Sequence, residues 1–246
     1  YKISGLPVVE NEKLIGIITN RDIRFETDES LPVKDRMTQE KLVTVEQGTT
    51  LEQAKKVLQE HRIEKLLVVD NEGNLAGLIT VKDIQKKEDF PNSCKDKSGR
   101  LRVGAALSVT EDFLERAQEL HSKEVDVIVV DTAHGHSLGV LNQIKEIKKS
   151  IPAIQIIGGN IATGNGAKAL IDAGTDCVKV GIGAGASCTT RIVAGIGVPQ
   201  LTAVMDCVDE AKKNDIPVIA DGGIRYSGDI AKAIAAGADT VMLGSI

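Results

Sequence analysis

The feature that most limits the fold is a regular alternation of apolar and amphipathic segments from Leu101 to the end of the chain. The apolar segments predict strands and the amphipathic segments predict helices. Strands are predicted at 101–107, 125–133, 154–160, 177–183, 217–223 and 239–246, with helices near 111–123, 138–149, 164–173, 202–214 and 228–236. Strands that alternate with helices form a parallel sheet, because each helix crosses over to the next strand. We therefore predict an α/β fold.

Every predicted strand ends in small or polar residues, including Asp131, Asn160, Asp221 and the pair Gly244-Ser245. In a (β/α)₈ barrel, this end of the strands is the catalytic rim. A full barrel has eight strands, so the six found here predict a partial barrel. Aromatic residues make up only 2% of the chain, which predicts an aliphatic core.

The first 85 residues contain an internal repeat. Residues 1–23 match residues 61–84, with one extra residue near Gly73 in the second copy. Each copy predicts a strand, a turn, a strand and a helix that starts at a T-x-x-D segment. Only the second copy is preceded by a further strand and helix, for which Thr50 and Gln53 predict a capping box. We expect the first copy to be truncated.

This repeat resembles a tandem pair of CBS domains, a nucleotide-sensing module. The resemblance implies that the Thr and Asp of each T-x-x-D segment contact the ribose of a bound regulatory purine nucleotide. The residues in question are Thr19, Asp22, Thr80 and Asp83. Capping of the following helix by the same side chains is an equal alternative.

Three segments follow from these patterns. Residues 1–85 form the predicted CBS pair, residues 86–100 a polar linker, and residues 101–246 the incomplete barrel. We expect the CBS pair to be an insertion within the barrel. The chain starts at Tyr1 rather than Met and stops on an apolar strand, so we expect it to be part of a longer protein.

Composition excludes several classes of protein. A net charge of −5 argues against a basic nucleic-acid-binding face. No apolar run approaches the roughly 20 residues of a membrane span. The four cysteines have no disulfide-framework spacing, so we expect a cytoplasmic protein. His134 and His136 form an H-x-H pair without a third ligand at an obvious spacing, and we expect them to shape a loop rather than bind a metal.

A lone cysteine, Cys188, follows a glycine-rich run at the end of a predicted strand. Gly181, Gly183 and Gly185 can adopt positive φ and let a ligand approach the backbone. A thiol on such a loop is a candidate nucleophile, and Arg191 is a candidate for lowering its pKa. The alternative is an incidental small residue in a glycine-rich turn.

The last two predicted strands end in ADGG and LGS. In phosphate-binding barrels, the loops after strands 7 and 8 bind phosphate through backbone N–H groups. Candidate phosphate or ribose donors are Gly222, Gly223, Gly244 and Ser245, and Asp221 is a candidate acceptor for a ribose diol. Tight turns that merely need glycine are the alternative.

Six motifs together resemble the inosine-5′-monophosphate (IMP) dehydrogenase family. They are DTAHGHS, GGNIAT, GIGAGASCTTR, GVPQ, ADGGIRYSGDI and MLGS, and they run along nearly all of residues 101–246. The resemblance implies NAD-dependent oxidation of IMP to xanthosine monophosphate, with Cys188 attacking C2 of the purine and Thr190 assisting proton transfer. A covalent thioimidate would form on Cys188 and then be hydrolysed.

The resemblance also implies the binding residues. IMP would be held by Asp221, Gly222, Gly223, Gly244, Ser245 and the position of Ala186; NAD by Asp131, Asn160, Gly181, Ile182 and Gly183; and potassium by the backbone carbonyls of Gly183, Gly185 and Cys188. A homotetramer is implied as well.

The chain departs from the family pattern GPGSICTT, because it has GAGASCTT. Ala184 replaces a proline, Ala186 a serine that usually bonds the IMP phosphate, and Ser187 an isoleucine. The family's mobile flap would lie beyond Ile246. Two alternatives remain: GMP reductase, a family expected to lack the CBS insertion, and a nucleotide-sensing regulatory module with an inactive barrel.

Overall fold

The computed structural model describes residues 3–97 and 99–244. The chain divides between Ser93 and Cys94 into two compact units. This boundary falls within the stretch 86–100 that the sequence predicts as a linker.

The first unit contains two hairpins that repeat the same geometry. Its elements are β1 (Gly5–Glu10), β2 (Lys13–Thr19), β3 (Thr44–Glu46), α1 (Leu51–His61), β4 (Lys65–Val69), β5 (Leu75–Thr80) and α2 (Val81–Asp89). Strands β1 and β2 pair antiparallel, as do β4 and β5, while β3 runs parallel to β4. The register shifts between Val8 and Val9 in one hairpin and between Val68 and Val69 in the other. The matching irregularity confirms the internal repeat.

Helix α1 begins as its sequence predicts. The Thr50 side chain accepts a hydrogen bond from the backbone N–H of Gln53, whose side chain in turn accepts from the N–H of Thr50. This capping box satisfies donors that the first turn leaves unpaired. On the buried face of the helix, Ala54 and Leu58 pack with Leu66 and Ile84.

The prediction of a helix after Thr19 is wrong. Only turns and bends follow Thr19 in the first copy, whereas α2 follows Thr80 in the second. Ile84 is buried in α2, but the matching Ile23 is 46% exposed and Phe25 is 90% exposed. A short helix needs a packed apolar face to be stable, and this segment has none.

The second unit is built on six parallel strands. Its elements are β6 (Gly104–Leu107), α3 (Phe113–Ser122), β7 (Val127–Asp131), α4 (Leu138–Ser150), β8 (Gln155–Ile161), α5 (Gly164–Ala173), β9 (Cys177–Val180), α6 (Thr190–Val193), α7 (Gln200–Ala211), β10 (Val218–Asp221), α8 (Ser227–Ala235) and β11 (Thr240–Met242). The strands stand in sequential order from β6 to β11. Sequential parallel strands with helical crossovers are the arrangement of part of a (β/α)₈ barrel.

The sheet is curled, as side chains on its inner face show. Lys179 on β9 is 3.0 Å from a carboxylate oxygen of Asp131 on β7 and 2.8 Å from one of Asp221 on β10. In a flat sheet, β7 and β10 would lie roughly 14 Å apart, because neighbouring strands are spaced by about 4.8 Å. The carboxyl ends of the strands therefore converge.

The core of this unit is aliphatic, as predicted. Strand residues such as Ile128, Ile156 and Val178 are fully buried against Ile144 of α4 and Val204 of α7. Five of the six strands are shorter than predicted, while β8 keeps seven residues and is shifted by one position; the sequence did not indicate the short helix α6. Among the described residues, no helix is long and apolar enough to cross a membrane.

Candidate active site

The loop after β9 carries Cys188 into a cavity at the carboxyl ends of the strands. The cavity has a volume of about 680 Å³ and is lined by residues at the ends of β8 and β10 and in the segments that follow β7, β9 and β10. Lining residues that the sequence predicted to act in catalysis or binding are Asn160, Gly181, Ile182, Gly183, Gly185, Cys188, Thr190, Asp221 and Gly222; His134 and Ala184 line it as well. The loops thus bring together candidates that are up to 62 residues apart in the chain.

The Cys188 thiol lies beside the hydroxyl of Thr190, with Sγ and Oγ1 3.1 Å apart. The Thr190 hydroxyl, followed by the Thr190 backbone N–H, holds the pKa of this thiol below its ordinary value, and the charge of Arg191 adds a smaller effect. Hydrogen bonds to the thiolate favour the charged form. Thr190 therefore lowers the pKa of this thiol more than does Arg191, the residue that the sequence indicated.

Two other cysteines have the opposite environment. Burial raises the pKa of Cys177 and of Cys207 to about 12. A buried thiol is a poor nucleophile because it stays protonated at neutral pH. Cys94 is exposed and lies outside the cavity.

The glycines of the Cys188 loop are required by packing against protein. Gly181 has φ of +152°, and a Cβ there would lie 1.9 Å from the carbonyl oxygen of Asp221. Gly183 has φ of +70°, and a Cβ there would meet the carbonyl of Ile196 at 2.8 Å. Gly185 is not among the positive-φ residues, contrary to expectation. Glycine thus lets the loop pack closely beside the end of β10.

A network of charges and amides lies at the strand ends. Asp221 accepts hydrogen bonds from Lys179 at 2.8 Å and from the Asn160 amide at 2.9 Å. The Asn160 amide also donates to the carbonyl of Gly181 at 2.8 Å. A register shift between Gly159 and Ile161 takes Asn160 out of the regular β8–β9 pairing, and such bulges redirect a side chain.

The sequence analysis missed two members of this network, Lys179 and Gln200. Gln200 donates to the carbonyls of Val180 and Asp221, at 2.9 and 3.1 Å, and so ties the ends of β9 and β10 together. A lysine between two valines of an otherwise apolar strand, CVKV, was the available signal for Lys179. Gln200 ends the GVPQ motif, but the sequence assigned it no role.

Other predicted residues lie around or beyond the cavity. Asp131 ends β7 at the rim, next to the lining residue Thr132, with its side chain 45% exposed. Ala186, Gly223 and Gly244 are exposed and do not line the cavity. Ser245 lies outside the described residues.

The two T-x-x-D pairs differ in their surroundings. Thr80 and Asp83 form a capping box at the start of α2. The backbone N–H and the hydroxyl of Thr19 donate to Asp22 in the same way, at 2.6 and 2.7 Å, but the Thr19 hydroxyl oxygen accepts from the N–H of Arg21 rather than Asp22, and no helix follows. Thr19 and Asp22 instead line a cavity of about 490 Å³ with five cationic side chains, Arg21, Arg24, Lys41, Arg62 and Lys65.

No cluster of three or more His, Cys, Asp or Glu side chains able to hold a metal exists within residues 3–97 and 99–244. The rings of His134 and His136 have their centroids 6.4 Å apart and are tilted. Among the carbonyls named for potassium, that of Gly185 accepts a hydrogen bond from the Cys188 N–H at 3.1 Å.

Comparison with known families shows to which family the chain belongs. The model of the IMP dehydrogenase / GMP reductase domain matches residues 19–246. The chain belongs to this family. A CBS-domain model matches residues 1–28, which is a fragment of such a domain.

Curated relatives with similar sequences are inosine-5′-monophosphate dehydrogenases. Those of Bacillus subtilis and Aquifex aeolicus are each 58% identical over the whole chain, and that of Halalkalibacterium halodurans is 59% identical. The chain spans about half the length of these relatives, 51% in each case. The predicted resemblance to IMP dehydrogenases is confirmed.

Similar solved structures are GMP reductases from Trypanosoma brucei. One in complex with guanosine 5′-monophosphate and one in complex with guanosine 5′-triphosphate are both 44% identical, with TM-scores of 0.83 and 0.84. They cover 98% and 99% of this chain, and the chain covers 52% and 59% of theirs. Such coverage includes nearly all of the first unit. The expectation that GMP reductases lack the inserted segment is therefore wrong. The presence of this segment does not distinguish an IMP dehydrogenase from a GMP reductase.

Proposed function

We propose that this chain carries the nucleophile and much of the nucleotide site of an IMP dehydrogenase. One observation carries the proposal: the Cys188 thiol faces the cavity with Thr190 at 3.1 Å, opposite an acceptor network centred on Asp221. The finer architecture that we propose is a partial (β/α)₈ barrel into which a tandem CBS pair is inserted.

Cys188 would act as the nucleophile. Its thiolate attacks C2 of the hypoxanthine ring, a carbon–sulfur bond forms, and the hydrogen at C2 leaves with its electron pair. Water then adds at C2 and gives up one proton to solvent, and the carbon–sulfur bond breaks to return the thiolate and release xanthosine monophosphate. A thiol with a lowered pKa suits both steps, because the thiolate is both the attacking group and the leaving group.

Asp221 would orient the substrate through its ribose. A carboxylate accepts hydrogen bonds from both hydroxyls of a diol, and Asp221 already lines the cavity beside Gly222. Gly222 has φ of +95° and lies close to the backbone of the Cys188 loop, since a Cβ there would be 3.0 Å from the Gly185 nitrogen. Backbone N–H groups of two adjacent loops are thus available near the nucleophile.

The residues present fit a nicotinamide dinucleotide. Asp131, at the rim, has one carboxylate oxygen bonded to Lys179 and a half-exposed side chain able to accept from a second ribose. When bound, NAD supplies the acceptor for the hydride that leaves C2 of IMP. Asp131 and Asn160 would hold the cofactor, and Gly181, Ile182 and Gly183 line the cavity beside Asn160.

Potassium binding by the carbonyls of Gly183, Gly185 and Cys188, regulatory purine nucleotides in the first unit and a homotetrameric assembly remain proposals that follow from the family. The same holds for the phosphate role of Gly223, Gly244 and Ser245. With Ala186 exposed and without a polar side chain, that position offers the phosphate only its backbone.

The first experiment is a single-turnover reaction of the chain with IMP, NAD and potassium chloride. NADH absorbance and intact protein mass are followed together. We expect a burst of NADH with a nucleotide adduct on Cys188, and we expect both to vanish in Cys188→Ala. The matched control is Cys94→Ala, which removes an exposed thiol and should leave the burst unchanged.

A second candidate function is GMP reductase. It is favoured by the similarity to the two T. brucei reductase structures, which extends over both units. The same protein is mixed with GMP and NADPH, and NADPH loss is measured. Consumption of NADPH with GMP, without an NADH burst from IMP, would reverse the assignment. If neither NADH formation nor NADPH loss is seen, the regulatory-module alternative is favoured.

A further inference from the structure

Lys179 is the one charged residue that is buried among the described residues. Its side chain is only 3% exposed, in the middle of the valine-rich strand β9. A buried ammonium is costly unless it is paired and hydrogen-bonded. Its partners therefore indicate why it is there.

Two carboxylates from different strands share this ammonium. Nζ lies 3.0 Å from Oδ1 of Asp131 and 2.8 Å from Oδ2 of Asp221. Glycine at position 159 allows the backbones of β8 and β9 to approach closely at this point: a Cβ at Gly159 would lie 2.8 Å from the Cβ of Lys179 and 2.7 Å from its carbonyl oxygen. A larger residue at position 159 would therefore push apart the two strands whose spacing sets the position of Lys179.

The Lys179 side chain is buried, whereas the side chains of its two partners are partly exposed to solvent. The Asp131 side chain is 45% exposed and the Asp221 side chain 24% exposed, and Asp221 lines the cavity. Lys179 does not line that cavity. The ammonium therefore acts on a ligand only through the two carboxylates.

We propose that Lys179 is a positioning residue that holds Asp131 and Asp221 as a linked pair of diol acceptors, one for each of two ribonucleotides. The inference rests on the proposed function, which assigns one carboxylate to each ribose. One ammonium balances two carboxylates that lie close together, so each keeps an oxygen directed at its own ligand. The substrate and cofactor sites then share one buried charge.

If Lys179 is shared by Asp131 and Asp221, its replacement has an effect that loss of packing alone would not produce. Lys179→Met leaves two facing carboxylates without a cation, and their repulsion disturbs both sites at once. Adding Asp131→Asn to that variant restores the net charge of the cluster to its original −1. Asp221 then faces a neutral neighbour and regains its orientation.

The test is calorimetry of IMP and of NAD with the purified chain and its variants. For Lys179→Met, we expect both nucleotides to bind at least tenfold more weakly. For Asp131→Asn alone, we expect only NAD to weaken. For the double variant Asp131→Asn/Lys179→Met, we expect IMP affinity to return to within about threefold of the original.

The matched control is Lys148→Met. Lys148 is also a partly buried lysine of this unit; it pairs with Asp176 at 2.6 Å and donates to the Ile154 carbonyl at 2.8 Å. It lies away from the cavity, so both affinities should stay within about twofold even if stability falls.

Each outcome decides between the two proposals. If the original chain binds neither IMP nor NAD, the proposed function and this inference both fall. If it binds both, but Lys179→Met leaves them unchanged, or the double variant does not recover IMP, only the inference falls. Should Lys179→Met not fold, Lys179→Arg and the double variant are measured instead. Retention of both affinities in Lys179→Arg with recovery in the double variant supports the proposal, and loss in either overturns it.

Discussion

The immediate neighbours of Cys188 favour the thiolate form of its side chain. Its Sγ lies 3.1 Å from the hydroxyl of Thr190, and the pKa of the thiol is lowered chiefly by that hydrogen bond. Cys177 and Cys207, by contrast, are buried, and their pKa is raised to about 12. Local environment alone thus distinguishes one thiol with a lowered pKa from two with a raised pKa.

Replacing Thr190 by Val should slow alkylation of Cys188. Since the folded-state pKa of this thiol is lowered, the thiolate forms at lower pH than in an ordinary cysteine, and losing the hydroxyl moves its formation to higher pH. We expect the pH midpoint of iodoacetamide labelling, followed by peptide mass spectrometry, to shift upward. Thr189→Val is the matched control, because that exposed hydroxyl makes no capping bond. Equal shifts in both variants would contradict the assignment.

Among the elements, the contact between the β9 loop and the end of β10 is the one most sensitive to a single atom. A Cβ at Gly181 would lie 1.9 Å from the Asp221 carbonyl oxygen, and the φ of +152° is itself unfavourable for other residues. The Asp221 carbonyl belongs to the backbone of β10, so it cannot relieve the clash by rotating as the end of a side chain could. The loop that carries Cys188 is thus positioned by a glycine.

Gly181→Ala should lower the free energy of unfolding by about 3 kcal/mol or more, since it adds both a backbone clash and strain. Urea unfolding followed by circular dichroism measures this. Gly228→Ala is the matched control, because nothing lies within 4 Å of a Cβ there and its backbone is helical. We expect that change to be neutral or stabilising by up to about 1 kcal/mol. Similar losses in both variants would contradict the packing argument.

In the molecule as a whole, the two units have cavities with different linings. The cavity of the second unit is lined by the Cys188 thiol and by Asp221, while the first has a cavity of about 490 Å³ lined by five cationic side chains together with Asp22. Cationic side chains suit polyphosphates, and a carboxylate such as Asp22 suits a ribose diol.

Purine nucleoside triphosphates should therefore bind to the first unit through Thr19 and Asp22. We expect Asp22→Asn to weaken ATP or GTP binding about tenfold, because a charge-assisted hydrogen bond is lost. Asp83→Asn, the matched change in the other repeat, should leave binding unchanged and instead weaken the start of α2. Calorimetry measures the first effect and urea unfolding the second. No heat from either nucleotide would refute the regulatory site.

Local patterns in the sequence were sufficient for much of this fold. The alternation of strands and helices, the internal repeat and the Thr50 capping box depend on residues near one another in the chain, so periodicity and spacing reveal them. The motifs around Cys188 and Asp221 likewise indicated the residues that line the cavity. The domain limits, the binding roles and the cytoplasmic location stay predictions.

Tertiary contacts settled the rest. The helix expected after Thr19 is absent because no surface covers Ile23 and Phe25, and covering surfaces come from distant segments. The strand CVKV alone does not explain why Lys179 is charged. The explanation is the curl of the sheet, which brings Asp131 and Asp221, 48 and 42 residues away in the sequence, to its ammonium. A short-range sequence pattern predicts which residues of a strand lie on each face of the sheet. It does not predict that one ammonium pairs with two carboxylates, because that depends on which strands come together in the assembled sheet.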